Sequence, residues 1–289
     1  MSILIFGATG RIGQHLITQL KNASVPVRAV VRNVEKAIWI QENGVELVWG
    51  DMRDPASLKH ALKDVEKIFL VSKEHPQQVT LQQNVITAAR HAGVKHLVKI
   101  SAIGATADSP MVVGRWHAET EREVCESGLP FTFIRPNFFM QNISLYRKDI
   151  IQEGKFYAPM GNANVALVDA HDIAAVAATA LLESGHEGKI YEVSGPESLT
   201  FNQVAESFSL LLNRAITYVD IPVTRAREDL QTLGLPDWHV DSILEDYQFF
   251  REGNGSKVSD TVFQVTRKPA NSFDNFIRQY AATFPALSR

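Results

Sequence analysis

A single cysteine, Cys125, rules out an internal disulfide and suits a reducing compartment. No apolar run approaches the ~20 residues that a helix needs to cross a bilayer. Residues 1–6 enter a short apolar run directly, which leaves no room for a secretory leader. These absences lead to the expectation of a cytoplasmic protein that engages no membrane. Basic residues are scattered, 29 against 32 acidic, for a net charge of −3, and no lysine/arginine cluster offers a nucleic-acid surface. No histidine, cysteine or carboxylate group falls at metal-ligand spacing, so no metal is expected. There is no internal repeat and no low-complexity tract. What is present is ordinary for a globular chain: 289 residues, 45% hydrophobic and 21% charged. That length suits one large α/β unit with a smaller appended lobe.

The chain is organised around its opening, S-I-L-I-F-G-A-T-G-R-I-G. Ile3 to Phe6 reads as a buried strand, because the apolar run is short and Gly7 stops it. Gly7, Gly10 and Gly13 follow at a spacing of three, and Leu16, Ile17 and Leu20 then carry a helical spacing. Strand, glycine turn and helix in this order form a phosphate cradle. One glycine takes the turn, one lets the backbone approach a pyrophosphate, one lets helix and strand pack, and the helix N-terminus faces the phosphates. The alternative is a tight turn with no ligand. Arg32 stands at the end of the second predicted strand, Val27–Val31, and no Asp or Glu occurs between Ala23 and Val34. A carboxylate here would suit a ribose 2′-hydroxyl; an arginine fork suits the 2′-phosphate of NADP. A solvated strand-end arginine is the alternative.

Further strands are expected at Val45–Trp49, Lys67–Ser72, His96–Ser101 and Pro130–Arg135, with helices at Val34–Asn43, after Asp54-Pro55, and at Val79–Ala92 and Trp116–Ser127. This alternation implies a parallel sheet with helices on both faces. The first 155 residues are read as this Rossmann-type, doubly wound domain, and 156–289 as a substrate-covering lobe. Lys189–Ser194 is expected to return to the main sheet. A helix at Ile143–Glu153, a short strand at Asn164–Val168, a helix at Ile173–Leu182 capped by Asp172, a helix to Leu212 opened by a capping box at Thr200–Gln203, a short strand at Tyr218–Ile221 and helices at Arg225–Leu233, Trp238–Arg251 and Phe273–Thr283 complete the pattern.

Tyr-x-x-x-Lys, in which the Tyr protonates a carbonyl and the Lys lowers its pKa, is missing. Met111 to Arg122 contains neither residue: Val113 and His117 occupy the two places. His117 is the candidate acid, or else a residue that positions ribose. Glu119 and Glu121 are assigned to other helix faces as solvated acids. Ser101 either reaches the nicotinamide or a substrate oxygen, or simply ends its strand.

The motifs G-A-T-G-R-I-G (7–13), V-V-R-N (30–33), G-V-K-H (93–96), H-A-E-T-E (117–121), P-F-T-F-I-R-P-N-F-F-M-Q-N (130–142) and G-H-E-G-K-I-Y (185–191), in this order, resemble the NmrA-like family of atypical short-chain dehydrogenases/reductases. Within it the chain is most similar to bacterial NAD(P)H-dependent reductases of quinones, azo dyes and triphenylmethane dyes, which also carry His at the position of His117. The resemblance implies NADP(H), and less strictly NAD(H), in a cleft between two lobes. It places Gly7, Thr9, Gly10, Arg11, Ile12 and Gly13 at the pyrophosphate, Arg32 at the 2′-phosphate, and Asp51 and Met52 beside adenine. Val71 and Ser72 fall at the adjoining ribose, and Pro136, Asn137 and Phe138 against the nicotinamide. Trp116 and Phe139, with Phe138, would wall a flat aromatic electron acceptor, or pack as core.

The implied activity is NADPH-preferring hydride transfer to a quinone or dye. Such delocalised acceptors need an enzymic proton donor less strictly than a ketone does. The family also contains regulators that bind NADP, lack the Tyr and act through protein partners; an epimerase is disfavoured by the missing Tyr. A monomer or homodimer is expected.

Overall fold

The computed structural model describes residues 1–281, apart from Asn22 and Ser24. The chain runs β1 (Ile3–Phe6), α1 (Arg11–Leu20), β2 (Val27–Val31), α2 (Ile38–Glu42), β3 (Glu46–Trp49), α3 (Pro55–Ala61), β4 (Lys67–Leu70), α4 (Gln78–Ala92), β5 (His96–Ile100), α5 (Val112–Ser127) and β6 (Phe131–Pro136). It continues with α6 (Arg147–Glu153), β7 (Lys155–Ala158), α7 (Ala170–Leu182), β8 (Lys189–Val193), α8 (Phe201–Leu212), β9 (Thr217–Asp220), α9 (Val223–Thr232), α10 (Asp237–Arg251), α11 (Thr261–Thr266) and α12 (Phe273–Ala281).

Seven strands form one parallel sheet in the order β3-β2-β1-β4-β5-β6-β8, and β7 pairs with β9 in a second, small sheet. The first six strands have the doubly wound order, whose reversal point lies between β1 and β4. Alternation within each strand divides the core between the two faces. Ile3, Ile5, Phe69, Val98 and Ile134 pack under α1 and α7. Leu4, Phe6, Ile68, Leu70, Leu97 and Phe133 pack under α3, α4 and α5. Lys99 lies between Val98 and Ile100, so it points to the second of these faces, towards α5.

A third cluster, rich in Phe156, Phe201, Phe208 and Tyr218, forms the core of the smaller lobe. Met140, Ile143 and Ile150 belong to it, whereas Val168, α7, Val193 and Val262 belong to the main core. The two cores therefore interleave along the chain, and a single cut at residue 155 does not separate them.

Several local expectations change. Asn164–Val168 is not a strand but two isolated bridges, Val165 to Leu199 and Val168 to Phe139. The N–H of Ala166 goes instead to the Gly255 carbonyl and that of Leu167 to Val165. Residues 35–37 and 140–146 are 3₁₀ turns that precede shorter α-helices than expected. Asp169, not Asp172, caps α7, accepting from the His171 N–H at 2.9 Å, and Asp172 accepts from the Asn271 N–H at 2.6 Å. The last helix is described to Ala281; the remainder of its expected span, 282–283, lies outside the described residues.

Helix α5 starts at Val112 rather than Trp116. The Glu245 carboxylate, on α10, accepts from the Val112 N–H at 2.5 Å. A cap supplied from 133 residues away leaves no local trace in the sequence. The extra turn places His117 in the second turn of α5, over the end of β5.

Candidate active site

The glycine turn follows β1 closely. Gly7 has φ +80°, and a Cβ there would meet Val71 Cγ1 at 2.5 Å and the Val71 carbonyl oxygen at 2.6 Å. A Cβ on Gly13 would meet the Gly7 oxygen at 2.3 Å. The Gly10 N–H closes the turn on the Gly7 oxygen at 3.0 Å. Gly10 is the N-cap of α1, and no side chain caps the helix start. An anion at this end would meet the N–H groups of the first turn and the positive end of the helix dipole. The cradle therefore fits a pyrophosphate. Thr9 and Arg11 are exposed at its rim, and Ile12 anchors the helix in the core. Arg11 donates to Asn142 Oδ1 at 3.1 Å, linking the turn to the 3₁₀ segment across the sheet edge.

Arg32 is exposed at the carboxyl end of β2. Asp51 is tied to Arg53 by an ion pair of 2.6 Å and accepts from the Arg53 N–H at 2.9 Å. That pairing, helped by the nearby Arg32 charge, holds its carboxyl below the ordinary carboxylate range. Met52 packs on the core, and its carbonyl accepts from Asn84 at 2.9 Å. Val71 lies against Gly7, and Ser72 Oγ accepts from Gln82 at 2.8 Å. At the start of α4 the side-chain amide of Gln78 is sealed from solvent with neither end partnered among the described residues.

The residues after β6 are committed more to the fold than expected. Asn137 is buried: its Nδ2 donates to the Gly255 oxygen at 2.9 Å, and its Oδ1 accepts from the Phe138 N–H at 2.7 Å. The Phe138 ring meets Phe250 edge-on at 5.2 Å within the smaller lobe, whereas Phe139 packs on the main core. The two phenylalanines thus diverge and do not form one wall. Trp116 instead faces Trp238, from α10, with ring centroids 6.3 Å apart, and His75 stands edge-on to Trp238 at 5.9 Å. Burial raises the Glu74 and Asp246 carboxyls beside this group. Trp238 had no signal in the sequence, because only the tertiary fold brings α10 to α5. A cavity of about 420 Å³ opens at the carboxyl ends of β6 and β8, lined by Arg135, Asn137, Val193 and Phe249 among others. Neither His117 nor Trp116 lines it.

Under α5 lies a buried polar cluster. His117 is 9% exposed, and its Nδ1 lies 2.9 Å from Lys99 Nζ. Lys99 is fully buried, and its Nζ also donates to the Ile100 carbonyl at 3.1 Å. Burial pushes the Lys99 amine down to about 7; Glu121 opposes the shift and Arg135 adds to it. Burial, then the Lys99 and Arg135 charges, hold His117 well below its ordinary value, so the imidazole is neutral. Glu121 is 6% exposed, not solvated, and pairs with both Nε and Nη2 of Arg135. Ser101 Oγ donates to Glu121 Oε1 at 2.5 Å. Its hydroxyl proton is therefore directed at a carboxylate, while its lone pairs remain available as acceptors. Glu119 is exposed, as expected. The sequence reading missed this cluster, though two signals could have found it: a lysine within a strand buried on both faces, and the i, i+4 spacing that puts His117 and Glu121 on one helix face.

The profile of the NmrA-like family matches residues 1–277. The chain belongs to the NmrA-like family. The NAD(P)H azoreductase of Xenophilus azovorans is 41% identical over 98% of this chain and 99% of its own. Two solved members of similar shape carry 30% and 28% identity. They are an NADPH-dependent quinone oxidoreductase of Escherichia coli complexed with NADPH (TM-score 0.90, 96% of this chain and 99% of that one) and the Citrobacter triphenylmethane reductase complexed with NADP(H) (TM-score 0.86, 96% and 99%). Among the described residues of this member no helix is long and apolar enough to cross a membrane, and no histidine, cysteine and carboxylate group could hold a metal.

Proposed function

We propose that this protein is an NAD(P)H-dependent reductase, preferring NADPH, that reduces small aromatic electron acceptors such as quinones or azo and triarylmethane dyes. The observation that carries the reading is the glycine turn opening onto an uncapped helix start at the carboxyl edge of a parallel sheet. It occurs in a chain 41% identical to an NAD(P)H azoreductase. When bound, the reduced nicotinamide supplies a hydride. The first turn of α1, with Gly7, Gly10 and Gly13 keeping side chains away, holds the pyrophosphate, and Thr9 and Arg11 flank it. Arg32 grips the 2′-phosphate, Asp51 and Met52 border adenine, and Val71 and Ser72 border its ribose. Pro136, with the backbone around Asn137 and Phe138, closes the far end.

Burial and the Lys99 and Arg135 charges keep His117 neutral, and its Nδ1 is the nitrogen that faces Lys99. On this reading His117 gives the proton or positions the nicotinamide ribose. Trp116 and Trp238 offer the flat apolar wall for an acceptor, in place of the diverging Phe138 and Phe139. Binding and orientation do most of the work, as suits an acceptor whose charge is delocalised.

The test is oxidation of NADPH and NADH, followed by loss of nicotinamide absorbance, against a panel of quinones and dyes, with calorimetric binding of both cofactors. Steady oxidation, faster with NADPH, is expected. Tight NADP binding with no oxidation by any acceptor would overturn the reading in favour of a regulator.

A further inference from the structure

Lys99 has no place in the reading above, yet it is a fully buried lysine, and among the described residues no carboxylate lies within ion-pair distance of its ammonium. Its two partners are the Ile100 carbonyl and His117 Nδ1, at 3.1 and 2.9 Å. The side chain comes from β5, rises on the α5 face of the sheet and meets the imidazole from beneath. An ammonium has donors only. A bond from it to Nδ1 requires Nδ1 to be the acceptor, so while Lys99 is charged the ring proton sits on Nε2. The other charged groups around Lys99 are Glu121 on α5 and Arg135 on β6. These two satisfy one another, with Ser101 donating to the same carboxylate. They leave the Lys99–His117 contact as the separate, uncompensated half of the cluster.

We propose that Lys99 is a positioning residue for the reduction: it locks His117 as the Nε2–H tautomer and resupplies its proton through Nδ1. The inference rests on the reductase reading of the same site. Reducing a quinone adds one hydride, from the reduced nicotinamide, and one proton, whereas a cationic dye takes the hydride alone. The proton leaves Nε2 as the acceptor's oxygen or nitrogen gains charge. Nδ1 takes a proton from the Lys99 ammonium, leaving a neutral amine and a neutral imidazole with its hydrogen on Nδ1. Solvent returns one proton at Nε2 as Nδ1 returns its own to the amine. A lysine that acts on histidine from the strand below thus replaces the missing lysine–tyrosine pair.

The experiment is ¹⁵N NMR of the histidine rings in the NADP⁺-bound protein across pH 6–9, for wild type, Lys99→Met and Lys99→Gln, with steady-state kinetics on one quinone. In the wild type His117 should hold the Nε2–H form at pH 6, where Lys99 is charged, and lose that preference as the pH rises through 7. Lys99→Met should mix the two tautomers, lower kcat about tenfold with KM unchanged, and remove the fall in kcat as pH rises through 7. Lys99→Gln keeps an N–H donor for Nδ1 and should restore the tautomer but not the pH limb. An unchanged tautomer and an unchanged pH profile in Lys99→Met would overturn the proposal. Absence of turnover in the wild type would overturn the reductase reading, while a tautomer shift in Lys99→Met would still support the hold on His117.

Discussion

Arg32 and His117 separate binding from chemistry. A charge-assisted hydrogen bond is worth about 1.5–3 kcal/mol. Arg32→Ala is therefore expected to raise the Kd for NADPH by roughly 10- to 100-fold and that for NADH little, as read by calorimetry; equal losses would remove the 2′-phosphate contact. His117→Ala is expected to lower kcat on quinones while the NADPH Kd stays within about twofold, because delocalised acceptors draw only part of the usual benefit of an acid. Unchanged kcat would remove His117 from the reaction. Lys99 also carries a stability signature. Its amine ionises near 7 in the fold against the ordinary 10.5. Below pH 7 it is charged in both folded and unfolded chains, and the full cost of burying the ammonium opposes folding. That cost falls as pH rises from 7 towards 10.5, where the fold already holds the neutral amine. Lys99→Met should thus raise Tm, and more at pH 6 than at pH 9. Equal gains at both would mean that Lys99 ionises normally in the fold.

At the scale of elements, the glycine turn distinguishes backbone strain from crowding. Gly7 and Gly93 have similar positive φ, +80° and +72°, but a Cβ on Gly93 meets nothing within 4 Å, while one on Gly7 would strike both side chain and backbone of Val71. Gly93→Ala should therefore cost only about 1 kcal/mol and leave NADPH binding intact. Gly7→Ala should cost more and weaken NADPH binding as well, because β1 and β4 must part at the cradle. Equal melting shifts for the two would mean that the turn yields freely. The strand–turn–helix order of this element was legible because its signals are local: a short apolar run, three glycines and a helical period. The start of α5 was not, since its cap is Glu245 on a distant helix. Glu121 was not hidden by that extra turn: its i, i+4 spacing from His117 puts both on the buried face of α5 wherever the helix starts.

Across the whole molecule, the lobes are tied where β6 leaves the sheet. Asn137 holds the Gly255 carbonyl, which also accepts from the Ala166 N–H. Asn137→Ala is expected to cost about 1–3 kcal/mol and to speed amide exchange at 253–259 while β1 to β5 exchange as before. Unchanged exchange there would show that other contacts secure the segment. The order of strands and helices up to β6, the return of β8, the glycine turn after β1 and the place of Arg32 at the end of β2 were all determined by the sequence alone, because apolar periodicity and turn residues act over a few positions. The tertiary structure decided the rest: the interleaving of two cores, the pairing of Trp116 with Trp238, the parting of Phe138 from Phe139, and the burial of Lys99 against His117. Those outcomes depend on which faces meet once the sheet has twisted and closed. A lysine in an apolar strand shows that a partner is needed, but only packing brings a histidine from the next helix to within hydrogen-bond distance.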